Sequence, residues 1–362
     1  MHPRPYQYYI DLVGGCNLKC PSCPVGNSRS TPRPSGVMSD EMFDAILSKI
    51  RREHPEIEHV RLFNWTEPLL HPRLPELIRI AWGHGIGCII STNLNHGKDL
   101  EAVVRAEPLK IRISLSGFTQ EKYGRTHERG HIDTVLANMH RVREAIDRYK
   151  VRTSVEVPYH CYVDNLDADY RSMRALCRKL DFRFEPCWAY LMPVEKNLEY
   201  LERGLTGKDQ DLLKLLAVKP EEAREVSFRH MEDDCVLRSG QTVINCDGSV
   251  ALCCGVYDSR FTIAGSFLEV EAAQLRKLKY SHPFCGTCMN QGLHVSVTYG
   301  GVEEWNTIAA RRIHPQKVPR ELLPKKRGPV RRLKKRLRQL VSSWIPRLAR
   351  QAAPPQPRKP LT

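Results

Sequence analysis

QYYIDLVGGCNLKCPSCPVG, residues 7–26, puts an aromatic and aliphatic run directly before three cysteines spaced CxxxCxxC. A strand over 7–12 that empties into a loop carrying Cys16, Cys20 and Cys23 is the opening of a β-α unit. Working outward, apolar and β-branched runs predict further strands at 60–63, 87–91, 110–115, 153–158 and 182–188. Between them, amphipathic spacing predicts helices over 39–52, 73–83, 99–105, 132–149 and 167–179. Such alternation argues for a parallel sheet with helices outside it. Six units fall short of the eight that close a barrel. The expected fold class is therefore α/β, a partial (β/α)6 TIM-like barrel over residues 1–195, with a doubly wound sheet as the alternative that periodicity leaves open.

Three thiolates on a short loop suit a four-iron cubane, because they leave one iron without a protein ligand. The same three also suit zinc completed by a distant Cys or His. Their position after the first strand, at the barrel end where active sites collect, favours the cluster.

The chain has 362 residues and 41 % hydrophobic composition, enough for one large core or a core plus a small satellite, which excludes disorder throughout. No run of 18 apolar residues occurs, and MHPRPYQYYIDLVGG lacks the layout of a signal peptide, so a cytoplasmic protein is expected. Thirteen cysteines in such a chain point to metal ligation rather than disulfides. Cys88, Cys161, Cys177 and Cys187 each stand alone in apolar or helical surroundings and read as structural thiols. The net charge of +15 is local: residues 311–362 hold 17 Lys or Arg and one acid, +16, which leaves about −1 for the rest. A basic nucleic-acid-binding body is thereby disfavoured.

Residues 196–234 read as a charged helical linker. Residues 235–300 change character, with a hairpin turning at Asp247-Gly248 in VINCDGSVALCC, a helix over 270–280 and a CGTC turn. Residues 301–362 form a basic, Pro-rich tail. Within it Val330, Leu333, Leu337, Leu340, Val341, Trp344, Ile345 and Leu348 would line one face of an amphipathic helix, expected to bring the chain to an anionic membrane face. Equal sedimentation with anionic vesicles by full-length protein and a form ending near Arg312 would refute that expectation.

CxxxCxxC after the first strand of a six-unit β-α chain resembles the radical S-adenosylmethionine (SAM) superfamily, and the resemblance covers about residues 8–188. It implies that SAM's amino and carboxylate groups chelate the open iron, and that one electron splits SAM to a 5′-deoxyadenosyl radical. NWTEPLLHP is similar to the family's GGEP motif, with Glu67 placed to accept from SAM's ammonium and Trp65 and Thr66 where the family has glycines. STNLN and ISLSG sit where the family contacts ribose and carboxylate, making Asn93 and Ser114 candidates; Arg125 and Arg129 are candidates to pair with the carboxylate. For each, an ordinary loop cap is the alternative role. Ser22 departs from the aromatic that many members carry just before the third cysteine.

Cys235, Gly248, Cys253 and the CxxC of Cys285 and Cys288 resemble the SPASM and Twitch extensions of the family. With no cysteine after Cys288, the shorter Twitch form is implied, with one auxiliary 4Fe-4S cluster on Cys235, Cys253, Cys285 and Cys288 and with Cys246 and Cys254 as spares. Zinc is the rival occupant. The expected cofactors are the SAM-binding 4Fe-4S cluster, SAM and the auxiliary cluster, with a reductant such as flavodoxin or ferredoxin. The expected substrate is a sugar, cyclitol, glycan or other small hydroxylated molecule, oxidised or epimerised, because only fifteen residues precede Cys16 and leave no room for a peptide-recognition domain. Peptide or protein modification is the runner-up, and a zinc-stapled nucleic-acid-binding protein the non-enzyme alternative. Tyr159, His160, Cys161 and Cys187 lie near the strand ends that would face substrate, with packing as their default role. No catalytic acid or base is assigned.

Overall fold

Six short strands, β1 (Gln7–Ile10), β2 (His59–Arg61), β3 (Gly87–Thr92), β4 (Lys110–Ile113), β5 (Ser154–Cys161) and β6 (Arg183–Trp188), run parallel, each paired with the next. They are defined in a computed structural model that describes residues 6–28, 30–204, 207–231, 234–298, 302–313 and 318–323. The sheet does not close: β7 (Gln241–Ile244) adds in parallel beyond β1, followed by antiparallel β8 (Val250–Ala251) and β9 (Thr262–Ala264). The partial barrel read from the sequence is thus present and open.

Alternation along the strands builds the core, since successive side chains face opposite sides. Tyr8, Ile10, Val60, Ile90, Ile111, Ile113, Val155 and Val157 are all buried on the outer face, beneath the helices. Helix Asp40–Glu53 buries Phe43, Ile46, Leu47 and Ile50, a three-and-four spacing that makes one apolar stripe. Its start is fixed by Ser39, whose hydroxyl accepts from the Met42 N–H at 3.2 Å. Helix Ile132–Tyr149 covers the sheet in the same way through Val135, Met139, Val142 and Ile146.

Past β6 the structure departs from the sequence reading in three places. The stretch read as a charged helical linker is helical, as Val194–Arg203, Lys208–Leu215 and Pro220–Ser227, but it packs rather than links, with Leu212, Leu216, Ala223 and Val226 buried. The hairpin does turn at Gly248, whose φ of +82° suits a residue without Cβ, but β7 belongs to the barrel sheet, pairing Gln7 with Gln241 through Ile10 with Ile244. The CGTC segment lies in helix Pro283–Asn290, so Cys285 and Cys288 sit about one turn apart on it rather than in a turn.

The basic tail also begins later than expected. Helix Val302–Arg312 is anchored by Trp305, 1 % exposed, whose ring centroid stands 5.1 Å from that of Tyr190. Next to it, Asn306 Oδ1 accepts from Trp188 Nε1 at 2.7 Å. Further on, Glu321 accepts from the Tyr170 hydroxyl at 2.7 Å. The proposed amphipathic helix around Val330 to Leu348 lies outside the described residues. Among the described residues no helix is long and apolar enough to cross a membrane.

Candidate functional site

The loop after β1 is a tight knot whose geometry brings the three cysteines together. Cys23 N–H donates to Cys20 O at 3.1 Å, and the chain then enters the short helix Pro24–Asn27, with Pro24 at a position that needs no donor. Gly26 is required there, because a Cβ at that position would stand 2.1 Å from the Cys20 carbonyl oxygen. Asn27 Nδ2 ties the knot to Pro21 O at 2.9 Å and to Met192 O at 2.8 Å, and Met192 N–H returns a bond to Ser22 O at 3.2 Å.

Cys16, Cys20 and Cys23 line a cavity of about 300 Å³ at the C-terminal ends of the strands. Glu67, Asn93 and Ser114 line the same cavity, so the structure brings these three candidates to the cysteine triad. Asn93 is the closest link: its Nδ2 reaches Cys16 Sγ at 3.5 Å and Asn17 Oδ1 at 2.9 Å, while its N–H donates to Glu67 Oε2 at 2.8 Å. Glu67 Oε1 accepts from Leu69 N–H at 3.1 Å. Burial outweighs these donors and raises the Glu67 carboxyl to about 7, so an ammonium placed beside it would favour the ionised form. Burial also pushes the Cys16 thiol up to about 11 and the Cys23 thiol up to about 12. These thiols stay protonated until a metal displaces the proton.

Arg125 and Arg129 do not reach the cavity. Arg125 Nη1 bonds Asp164 on an exposed surface, beside a different depression lined by Pro21 and Glu128. Arg129 is exposed with φ +73°, beyond the end of helix Gln120–Thr126. Closeness in sequence to ISLSG suggested them, but Arg125 stands on the exposed side of that helix and Arg129 on an exposed turn after it. Of the strand-end residues, His160 lines the cavity. Tyr159 and Cys161 point into the core at 0 % exposure. Cys187 Sγ lies 3.7 Å from His160 Nδ1 and borders the cavity only through it.

Three contributors were missed. Asp11, 1 % exposed, organises the loop after β2: its Oδ1 accepts from Asn64 N–H at 2.7 Å, Trp65 N–H at 3.2 Å, Thr66 N–H at 3.3 Å and Thr66 Oγ1 at 2.7 Å. The two residues standing where the family has glycines are therefore held, and Trp65 Nε1 also donates to Val256 O at 2.7 Å. Tyr162 places its hydroxyl 3.2 Å from Ser22 Oγ, so an aromatic ring does stand beside the third cysteine, supplied from beyond β5. His127 lines the cavity with Nδ1 2.7 Å from Ser116 Oγ. The only signal for Asp11 was an acid inside an apolar strand; Tyr162 and His127 had none.

Residues 10–160 match the model of the radical SAM superfamily. The chain carries a radical SAM domain. It is 27 % identical over 151 residues to GTP 3′,8-cyclase of Chlorobaculum tepidum, a match that spans 41 % of this chain and 42 % of the cyclase. Among solved structures, anSMEcpe with bound AdoMet superposes with a TM-score of 0.51 and 16 % identity, covering 76 % of this chain and 82 % of that one. Streptococcus suis SuiB bound to precursor peptide SuiA gives 0.51 and 14 %, covering 79 % and 67 %. Both share the fold, and the radical SAM model matched by residues 10–160 implies a 4Fe-4S cluster and SAM as the cofactors of that domain.

The donor set of the radical SAM domain fits that cluster: three half-buried thiols on one loop face a cavity that also holds the Glu67 carboxyl and the Asn93 amide. Among the described residues, no three His, Cys, Asp or Glu groups converge as ligands of a single ion. Outside the radical SAM domain, Cys235, Cys253, Cys285 and Cys288 line one small apolar cavity. That cavity, about 30 Å³, is water-sized, so the donor set rather than the void suits a metal centre. Neither Cys254 nor Cys246 lines that cavity: the Cys254 thiol is hydrogen-bonded with the Gln241 side chain, and Cys246 is buried. Burial pulls the Lys279 ammonium down to about 8, opposed by Cys253, Cys254, Cys285 and Cys235.

Proposed function

We propose that this radical SAM enzyme abstracts hydrogen from a small hydroxylated substrate, a sugar, cyclitol or glycan unit, and oxidises or epimerises it. With the cluster on Cys16, Cys20 and Cys23, reductive cleavage of SAM supplies a 5′-deoxyadenosyl radical for that abstraction. The observation that carries the reading is the shared cavity of the cysteine triad with Glu67 and Asn93. Glu67 would accept from SAM's ammonium while Asn93 orients the Cys16 side, and Ser114 and Tyr162 would bound the nucleoside.

The polar wall favours a neutral hydroxylated substrate. Burial lowers His127 to about 3 and His160 to about 4, so both imidazoles are neutral at physiological pH. They offer hydrogen bonds to hydroxyl groups without the charge that would select an anion. A second four-iron cluster on Cys235, Cys253, Cys285 and Cys288 would give the substrate electron a destination, which fits oxidation; a flavodoxin or ferredoxin would supply the reducing electrons. Peptide modification is the second reading, resting on the peptide bound by SuiB.

Anaerobic reconstitution with iron and sulfide, then incubation with SAM and dithionite, tests the proposal. The expected result is 5′-deoxyadenosine formation that rises with hydroxylated small molecules and not with peptides. Stimulation by peptides alone would reverse the substrate assignment, and tightly bound zinc with no cleavage would remove the radical mechanism.

A further inference from the structure

The barrel lumen below the cavity carries charge that the proposed chemistry leaves unused. Alternate strand residues share a face, so Arg61 and Arg112, two positions before the cavity-lining Phe63 and Ser114, look into the lumen with them. Strand pairing sets their depth. Arg112 lies beside Ser91, which lines the cavity, and Arg61 lies beside Ile89, one row deeper. Two rings connect the guanidiniums: Arg112 stands over the Phe63 ring at 5.8 Å, Phe63 meets Tyr9 at 6.0 Å between centroids, and Arg61 stands over the Tyr9 ring at 5.5 Å.

Acids do not match these cations. Glu156, on β5, accepts from Arg112 Nε at 3.1 Å and from Lys110 Nζ at 3.0 Å, so one carboxylate serves two cations. Glu185, on β6, is already paired with Arg183. Among the described residues Arg61 makes no ion pair, and its Nε is buried without a hydrogen-bond partner. A guanidinium keeps its charge throughout the physiological range, so the floor of the cavity holds an unmatched cation beside a half-matched one. Like charges confined in a half-buried site repel, and an anion between them removes that cost.

We propose that Arg61 and Arg112 form an anion site at the floor of the cavity and hold a carboxylate or phosphate group of the substrate. The inference rests on the reading that the cavity takes a small hydroxylated molecule, and it narrows that reading. The uncharged, hydroxylated part of the substrate meets the imidazoles of His127 and His160, while its acid group meets the guanidiniums one layer deeper. The planar guanidinium fork suits both oxyanions. Fixing the molecule at both ends orients the carbons between them for hydrogen abstraction.

Isothermal titration calorimetry on the anaerobically reconstituted full-length chain with SAM bound tests this, with glucose, glucuronate and glucose 6-phosphate as probes. At least one acid-bearing sugar should bind tenfold or more tighter than glucose, and the advantage should vanish in Arg61→Gln and in Arg112→Gln. Arg61→Lys, which keeps the charge without the fork, should retain part of it. Since Arg61 has no acid partner to lose, its Gln variant should keep the melting temperature of the unmodified chain, which separates lost binding from lost folding. Equal binding of all three sugars, no binding by either acid-bearing one, or an advantage that survives both Gln substitutions would overturn the proposal. So would inorganic phosphate that binds through Arg61 while the sugars show no preference, which marks a site for a free anion, or a matching loss of SAM affinity in the Gln variants, which moves the anion to the cofactor. 5′-Deoxyadenosine formation stimulated by peptides alone would instead overturn the reading beneath it.

Discussion

Replacing Cys16, Cys20 and Cys23 together with Ala should abolish reductive SAM cleavage and lower the iron content from about eight to about four per chain. The three thiols are the protein donors at the end of β1 that border the cavity containing Glu67 and Asn93. The structural cost should be small, since each is a partly exposed loop residue and, apart from the Leu18 and Asn93 contacts to Cys16 Sγ, the knot is closed by backbone bonds and Asn27. An unchanged circular dichroism spectrum and melting temperature alongside lost 5′-deoxyadenosine formation is the expected pair of results. The iron left behind is equally diagnostic, because Cys235, Cys253, Cys285 and Cys288 line a separate cavity. Undiminished cleavage by the triple variant would remove the triad from the chemistry. Complete iron loss would show that the second cysteine group holds no cluster of its own.

Much of the frame was legible because its signals are local. Each barrel strand is a short β-branched run, and a helix such as Asp40–Glu53 declares itself by apolar spacing and a Ser cap within one segment. The cysteine spacing was legible for the same reason. What escaped was set by long-range pairing. Nothing around Gln241 says that β7 will lie in parallel beside β1, more than two hundred residues earlier. Trp305 belongs to a stretch whose basic neighbours resemble a tail, yet burial against Tyr190 outweighs that composition. Arg125 and Arg129 erred the other way, since guanidinium chemistry suits a carboxylate but the exposed side of one helix and the turn after it decided where each residue stands. Tyr162 shows why a missing motif residue is not a missing group: the ring beside Ser22 arrives from 140 positions along the chain.

Asp11 is the residue whose loss should damage the site most without removing a ligand. Its carboxylate takes three backbone N–H groups and a hydroxyl from residues 64–66, and its other oxygen is 3.2 Å from Arg33 Nη2. Arg33 in turn donates to Tyr257 O at 3.1 Å and stands over the Tyr257 ring at 4.7 Å, so one buried acid joins β1, the loop after β2 and the loop after β8. Asp11→Ala leaves buried donors unsatisfied, at about 1–3 kcal/mol each, and an unpaired guanidinium. These losses are not additive, and about 3–5 kcal/mol is the expected total, the range for breaking a buried ion pair. Asp11→Asn keeps an oxygen acceptor and loses the charge facing Arg33, so it should fall between the two. SAM cleavage should drop further than stability implies, because Glu67 follows directly on the loosened segment and is held to Gly15 O by its own N–H at 3.1 Å. A misplacement of about 1 Å at such a positioning element costs on the order of 100-fold in rate. Denaturant titration under anaerobic conditions, paired with 5′-deoxyadenosine formation at a temperature where the variant is folded, reads both effects. A midpoint and a cleavage rate both equal to those of the unmodified chain would show that the loop after β2 holds its shape without Asp11.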